Sequence, residues 1–175
     1  RLRAYAFMKY KTLKKKENAK ATLGDITFIT AAKDAAAKSF KARDAVAQGV
    51  YLARDVMNEP PNVLYPGSYA AIISKHLKSL GVEIEILDHK KMEKMGFGAH
   101  LCVGIGSARP PCVVIMRWMG AGKSSKKAPL AFVGKGVTFD TGGISIKPAA
   151  GMEDMKMDMG GSAAVVGLMK SLALR

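Results

Sequence analysis

Four ionisable residues, Lys135, Asp140, Lys147 and Asp158, follow one another at offsets of +5, +12 and +23 inside an apolar, glycine-rich stretch. Around them stand Val137, Phe139, Ile144, Ile146 and the methionines 152, 155, 157 and 159. An isolated carboxylate or ammonium is expensive to bury unless it is paired or bound to a metal. A group of charges in apolar surroundings therefore points to a functional site. Carboxylates are hard ligands for divalent cations, and glycines let backbone crowd around a bound group. The spacing and composition predict an ion or anion site. The alternative is a set of solvated loop charges with a capping aspartate.

Other motifs fail. Gly120-Ala-Gly-Lys-Ser124 resembles part of a phosphate loop, but the required first glycine is Arg117. Gly104-Ile-Gly106 begins a dinucleotide fingerprint, but its third glycine is Arg109. His76, His89 and His100 are too scattered for a zinc finger or a two-histidine helix site.

The elements that must hold the four residues are legible from periodicity. Residues 4–16 suggest a short helix. Asp25–Thr30 reads as a strand. From Phe40 to Asn58, Val46, Val50, Ala53 and Met57 recur at helical spacing. That helix must stop at Glu59-Pro60-Pro61, because a residue before proline avoids the helical region. Residues 67–80 carry an apolar stripe of Tyr69, Ile72, Ile73, Leu77 and Leu80, with His76 on it as a packed histidine. Val82–Leu87 alternates as a strand with one wet face. A short helix follows near 88–95, then strands near 100–105 and 112–119. Leu130–Val133 is continuously apolar, as in a central strand covered on both faces. Ser162–Leu174 reads as a helix with Ala163, Val166, Met169 and Leu172 or Ala173 inward. Alternating strands and helices predict an α/β fold with a mixed, largely parallel sheet flanked by helices. Lys135 lies just past one strand's carboxyl end, where ligands sit in such folds.

Composition sets bounds. The chain has 175 residues, 49% of them hydrophobic and 24% charged, as in ordinary globular proteins. No apolar run approaches the roughly 20 residues that cross a bilayer. Cys102 and Cys112 form no metal-binding pattern and read as two reduced, buried thiols of a cytoplasmic protein. The net charge of +14 raises nucleic-acid binding. Half of it lies in residues 1–20, and Lys123, Lys126 and Lys127 form a second cluster. Aromatic residues do not interleave with these lysines as a stacking platform requires. A solvated helix end and loop is the expected reading.

At the motif itself the sequence becomes specific. Val133-Gly-Lys-Gly-Val-Thr-Phe-Asp-Thr-Gly-Gly-Ile-Ser-Ile-Lys-Pro148 with Met155-Lys-Met-Asp-Met-Gly-Gly161 resembles the catalytic core of the leucyl aminopeptidase family, two-metal exopeptidases. Asn58-Glu-Pro-Pro-Asn62, Tyr65-Pro66 and Gly106-Ser-Ala-Arg-Pro-Pro111 are similar to earlier parts of that catalytic domain. Tyr10-Lys-Thr-Leu-Lys14 is similar to the linker before it.

The resemblance implies two divalent ions per complete site, Zn or Mn, with Mg also compatible with these donors. It implies that Lys135 ligates the more loosely held ion as a neutral amine, which needs a pKa far below the free value of about 10.4. Asp140 would bridge both ions, and Asp158 would share the ion of Lys135 near the substrate's amino group. Lys147 would stay protonated and stabilise the oxyanion. Met155 would line the pocket for a leucine-like side chain. Peptide substrates, a cytoplasmic location, no membrane partner and a homo-oligomer, hexameric in the family, are implied as well. So is a division into residues 1–36, a linker helix with the end of an N-terminal domain, and 37–175, the N-terminal half of a catalytic domain. The family's further ligands come from an Asn-Thr-Asp-Ala-Glu-Gly-Arg segment that this sequence does not contain. The chain is thus expected to be a truncated part of a metallo-aminopeptidase, inactive alone. A basic nucleic-acid-binding or non-catalytic assembly segment is the alternative.

Overall fold

The computed structural model describes residues 5–12, 24–122 and 128–175. Among the described residues, five helices and two strands follow one another in the order α1 (Lys33–Asn58), α2 (Pro66–Leu77), β1 (Glu83–Leu87), α3 (His89–Lys94), α4 (Gly98–Leu101), β2 (Val113–Arg117) and α5 (Gly160–Leu174). One-turn 3-10 segments extend α2 and α4, and a longer one, Met152–Met157, leads into α5.

α1 stops where its sequence requires. Glu59, ahead of Pro60, has φ −68° and ψ 137°, an extended conformation. α2 starts with proline in its first turn, and the Ser68 hydroxyl accepts from the Tyr65 amide at 3.0 Å. α3 opens on Asp88, whose carboxylate accepts from the Lys91 amide at 2.9 Å.

The core is built where α1, α2 and α5 meet. Leu52, Val56, Leu64, Tyr69, Ile73, Leu77, Val82, Met159, Ala163 and Val166 are all buried in one cluster. The face that α1 turns inward differs from the expected stripe. Ala45, Gly49, Leu52 and Val56 are buried, whereas Val46 and Val50 are 47% and 42% exposed. Small residues decide the rotation. A Cβ on Gly49 would lie 2.2 Å from the Gly167 carbonyl oxygen, and one on Gly167 would lie 2.6 Å from that of Gly49. The two backbones touch, and β-branched valines at that seam would hold them apart.

β1 and β2 pair antiparallel, with Glu83 opposite Arg117 and Leu87 opposite Val113. Arg117 bonds Glu85 at 2.7 Å and Glu83 at 3.4 Å, an exposed cross-strand arrangement. Among the described residues this pair is the whole sheet, so the α/β class holds while the parallel portion of the expected sheet is not formed here.

Several local expectations are corrected. Residues 25–30 and 130–133 carry strand-like residues but form no strand. Leu130, Phe132 and Val133 are 86%, 50% and 96% exposed; without a neighbouring strand their backbone has no ladder to join. Residues 100–105 coil into α4 and its 3-10 turn instead, a turn seated against Pro111 at Gly104. Cys102 in that turn is exposed, not buried; Cys112 is half-buried, and both are free thiols. His76 is exposed, because the face α2 buries runs through Tyr69, Ala70, Ile73 and Leu77 and leaves position 76 off it. The expected helix at 4–16 is absent from residues 5–12. Its remainder, the lysine-rich segment up to Lys20 and the cluster Lys123–Lys127 lie largely outside the described residues. No described helix is long and apolar enough to cross a membrane.

A glycine inside a helix ordinarily gains about 0.5–1 kcal/mol on replacement by alanine. Gly49→Ala is expected to do the reverse and destabilise by about 1–3 kcal/mol through overpacking. Urea denaturation followed by circular dichroism reads the sign directly.

Candidate metal centre

The four ionisable residues come from three pieces of chain. Lys135 stands on an extended segment that crosses the start of α5. Its carbonyl accepts from the Ser162 amide at 2.8 Å. A Cβ at Gly134 would lie 2.6 Å from the Gly161 carbonyl oxygen, so the glycine is required for that approach. Asp158 is the residue after the 3-10 turn that precedes α5, and Met159 beside it is fully buried. The crossing brings Lys135 Nζ to 2.5 Å from Asp158 Oδ1.

Asp140 and Lys147 share a loop. The Lys147 amide donates to the Thr141 carbonyl at 2.9 Å and closes it. Gly142 makes this closure feasible: its φ is +88°, and a Cβ there would lie 2.4 Å from the Ser145 carbonyl oxygen. Lys147 Nζ then lies 2.9 Å from Asp140 Oδ2, donates to the Asp140 carbonyl at 3.1 Å and reaches the Met155 sulfur at 3.0 Å. Met155 is therefore brought to Lys147, and Asp158 to Lys135.

Electrostatics tie the two pairs together. The Lys147 ammonium, hydrogen-bonded to Asp140, holds that carboxyl below the usual carboxylate range; the Gly142 N–H donates to Oδ1 at 2.9 Å and adds to the effect. The charge of Lys135 acts on Asp140 in the same direction. Two cations thus face two anions, and the quartet is neutral.

The expected apolar envelope is only partly present. Lys135 has 60% of its side chain exposed, and Ile144 and Ile146 point into solvent at 106% and 72% exposure. Nothing among the described residues covers the loop on that side. Met155 touches Lys147 and Met159 enters the core, while Met157 is 42% exposed.

Metal compatibility is tested by one atom. Asp158 Oδ2 is buried and has no hydrogen-bond partner, although its sister oxygen is paired. A buried carboxylate oxygen left unpaired is costly and suits a cation. Asp158, Asp140 and the Lys135 nitrogen are the donors at hand. No group of three or more His, Cys, Asp or Glu side chains that could hold a metal occurs among the described residues. The donors present fit part of a hard-metal site.

This geometry coincides with a known family. The catalytic-domain model of the cytosol aminopeptidase family matches residues 51–175. The chain belongs to the cytosol aminopeptidase family. A probable cytosol aminopeptidase of Rhizobium etli is 57% identical over 175 residues, which cover 99% of this chain and 35% of that protein. One from Bradyrhizobium is 58% identical and is matched over 100% of this chain and 34% of its own length. Among solved structures, the cytosol aminopeptidase of Coxiella burnetii superposes with a TM-score of 0.69 at 34% identity, covering 78% of this chain and 29% of that one. The bottromycin maturation enzyme BotP, in complex with Mn, gives a TM-score of 0.73 at 31% identity and covers 98% of this chain and 34% of its own. The chain therefore spans about a third of the length of the curated relatives it matches. As a cytosol aminopeptidase segment, its helix-rich body with a small sheet corresponds to part of an α/β catalytic domain.

Sequence reasoning missed the contacts that seat this motif. The Ser162 Oγ lies 3.2 Å from the Tyr69 hydroxyl and donates to the Met159 carbonyl at 2.7 Å, joining α2 to the start of α5. Burial pushes the Tyr69 phenol up to about 12. Gly134 and Gly161 were the available signal, since a side chain at either position would crowd the backbone of the other segment.

The Asp140 carboxyl is expected to titrate below the ordinary range, and Lys147→Met is expected to raise it. A folded-state pKa that is depressed contributes stability above the ordinary carboxylate range, and that contribution is lost as pH falls through the depressed value. Carbon-13 NMR titration of the aspartate carboxyls in both proteins measures the difference.

Proposed function

We propose that this chain forms part of the active site of a two-metal aminopeptidase that releases leucine-like N-terminal residues from peptides. The pairing of Lys135 with Asp158, beside a buried Asp158 oxygen that has no partner, carries the reading. Lys135, Asp140 and Asp158 would hold the divalent ions, with Zn or Mn as the metal and Mg also compatible with these donors. The ions, when bound, supply Lewis acidity and a nucleophile at neutral pH.

The residues of this chain then have distinct tasks. Lys135 is paired with a carboxylate and becomes a ligand only by giving up its proton. Metal uptake should therefore release protons, a signal independent of turnover. Lys147 is held by three acceptors, Asp140 Oδ2, the Asp140 carbonyl and the Met155 sulfur. An ammonium in that position polarises the scissile carbonyl and stabilises the oxyanion. Asp158 receives the substrate's free amine, and Met155 meets the first side chain, favouring branched apolar residues. Residues 1–36 are assigned to the linker with the end of an N-terminal domain, and 37–175 to the N-terminal half of the catalytic domain. The protein acts in the cytoplasm as a homo-oligomer, with a hexamer as the expected state.

Each divalent ion takes about four to six donors. Three protein donors do not meet that for two ions, so the 175-residue chain is expected to show negligible hydrolysis of a leucine anilide with Mn or Zn. Turnover matching that of a relative of full length would overturn this. In a protein of the relatives' length that contains the segment, Lys147→Ala is expected to lower kcat by about 10²–10³ with the fold intact. Unchanged kcat there would remove Lys147 from the chemistry.

A further inference from the structure

The last turn of α1 is electrostatically awkward. It carries Asp55 and, at its cap, Glu59, and it contains no basic residue. Helix carbonyl ends carry partial negative charge, so acidic groups there are unfavourable and a cation is wanted. Glu59 is moreover only 7% exposed.

The compensation comes from fifty residues away in sequence. Lys9 Nζ donates to Glu59 Oε1 at 2.6 Å, and the Tyr10 hydroxyl donates to Oε2. The Tyr5 hydroxyl donates to Asp55 Oδ1 at 2.9 Å and accepts from Asn58 Nδ2 at 3.3 Å. The Tyr5 ring packs 5.7 Å from that of Tyr51, with the Arg54 guanidinium 5.4 Å over it. Both oxygens of a buried carboxylate are thus satisfied by one short segment, and a second acidic side chain is held by the same segment.

The end of α1 also touches the metal-site turn. A Cβ on Gly160 would lie 3.3 Å from the Met57 methyl, and Val56 and Met159 share the core. Asp158 sits between these contacts and its own turn bond to Met155.

We propose that residues Tyr5–Tyr10 act as a clasp that closes on Glu59 and Asp55 and thereby fixes the turn carrying Asp158. The clasp is held as a unit: freeing Glu59 from Lys9 and Tyr10 releases Tyr5 as well, and the loosened end of α1 lets the 152–160 turn move. This rests on the geometry alone and stands whatever reaction the site performs.

The test is Glu59→Gln in the 175-residue chain at neutral pH, read by NMR of carbon-13-labelled tyrosine and by amide hydrogen exchange. Tyr5 does not touch Glu59, so its ring resonances report whether the clasp opens as one body. They are expected to move to unstructured positions, and exchange at the Asp158 and Ala163 amides is expected to rise about tenfold. Unmoved Tyr5 resonances would show independent contacts and overturn the clasp. A released Tyr5 with unchanged Asp158 and Ala163 exchange would overturn the coupling. Should Glu59→Gln lose its helical circular dichroism, Tyr5→Phe, which removes one hydroxyl, is the second probe. Release of Tyr10 together with faster Asp158 exchange then supports the proposal, and the absence of either change overturns it.

Discussion

Everything the motif does depends on how closely α1 and α5 approach. Gly49 and Gly167 bring the two backbones into contact, and Ser171, buried on the same face, bonds back to the Gly167 carbonyl instead of reaching across. A separation larger by one methyl would shift the start of α5, because the helix is packed along its length, from Ala163 to Ser171. The start of α5 in turn sets Asp158 two residues upstream and receives the Lys135 segment through the Ser162 amide. The lysine–aspartate distance is therefore a consequence of helix packing more than of the loop that carries Lys135.

The charge pattern has the same economy. Two lysines and two aspartates form a neutral set in a place that is only half-buried. Neutrality lets the site hold its shape without a cation, since neither carboxylate is left facing another anion. The arrangement still leaves one acceptor unused, Asp158 Oδ2. Lys135 is held by one acceptor, Asp158 Oδ1, whereas Lys147 is held by three. The different tasks proposed for Lys135 and Lys147 follow from that difference in surroundings.

Helices were legible in the sequence where local rules decide them. Proline before a turn ended α1, proline opened α2, and the 3.6-residue stripe of Tyr69, Ile73 and Leu77 found the core. Strands were legible only where a partner stands within the chain. Glu83–Leu87 has Val113–Arg117 beside it, whereas Leu130–Val133 has the same residue types and pairs with no strand among the described residues. Strand formation is a property of pairs, and a single segment's composition cannot supply the second member. The face of α1 was misread for a related reason. Valines outrank glycine and alanine in hydrophobicity, yet the glycine allows closer packing, and closeness won.

The candidate residues could be picked out by type in the sequence, because chemistry restricts which side chains can serve, while their structural supports could not. Lys135, Asp140, Lys147 and Asp158 stand out as charges among glycines and methionines. Glu59 does not, since a glutamate before two prolines reads as the ordinary end of a helix. Only the folded chain shows that its carboxylate is buried and met by Lys9 and Tyr10. A buried acid at a helix's carbonyl end is unfavourable by burial and by the dipole alike. Its pairing with Lys9 and Tyr10 offsets that cost. Here the segment held begins at Tyr5, and the helix end that holds it leans on the turn of Asp158.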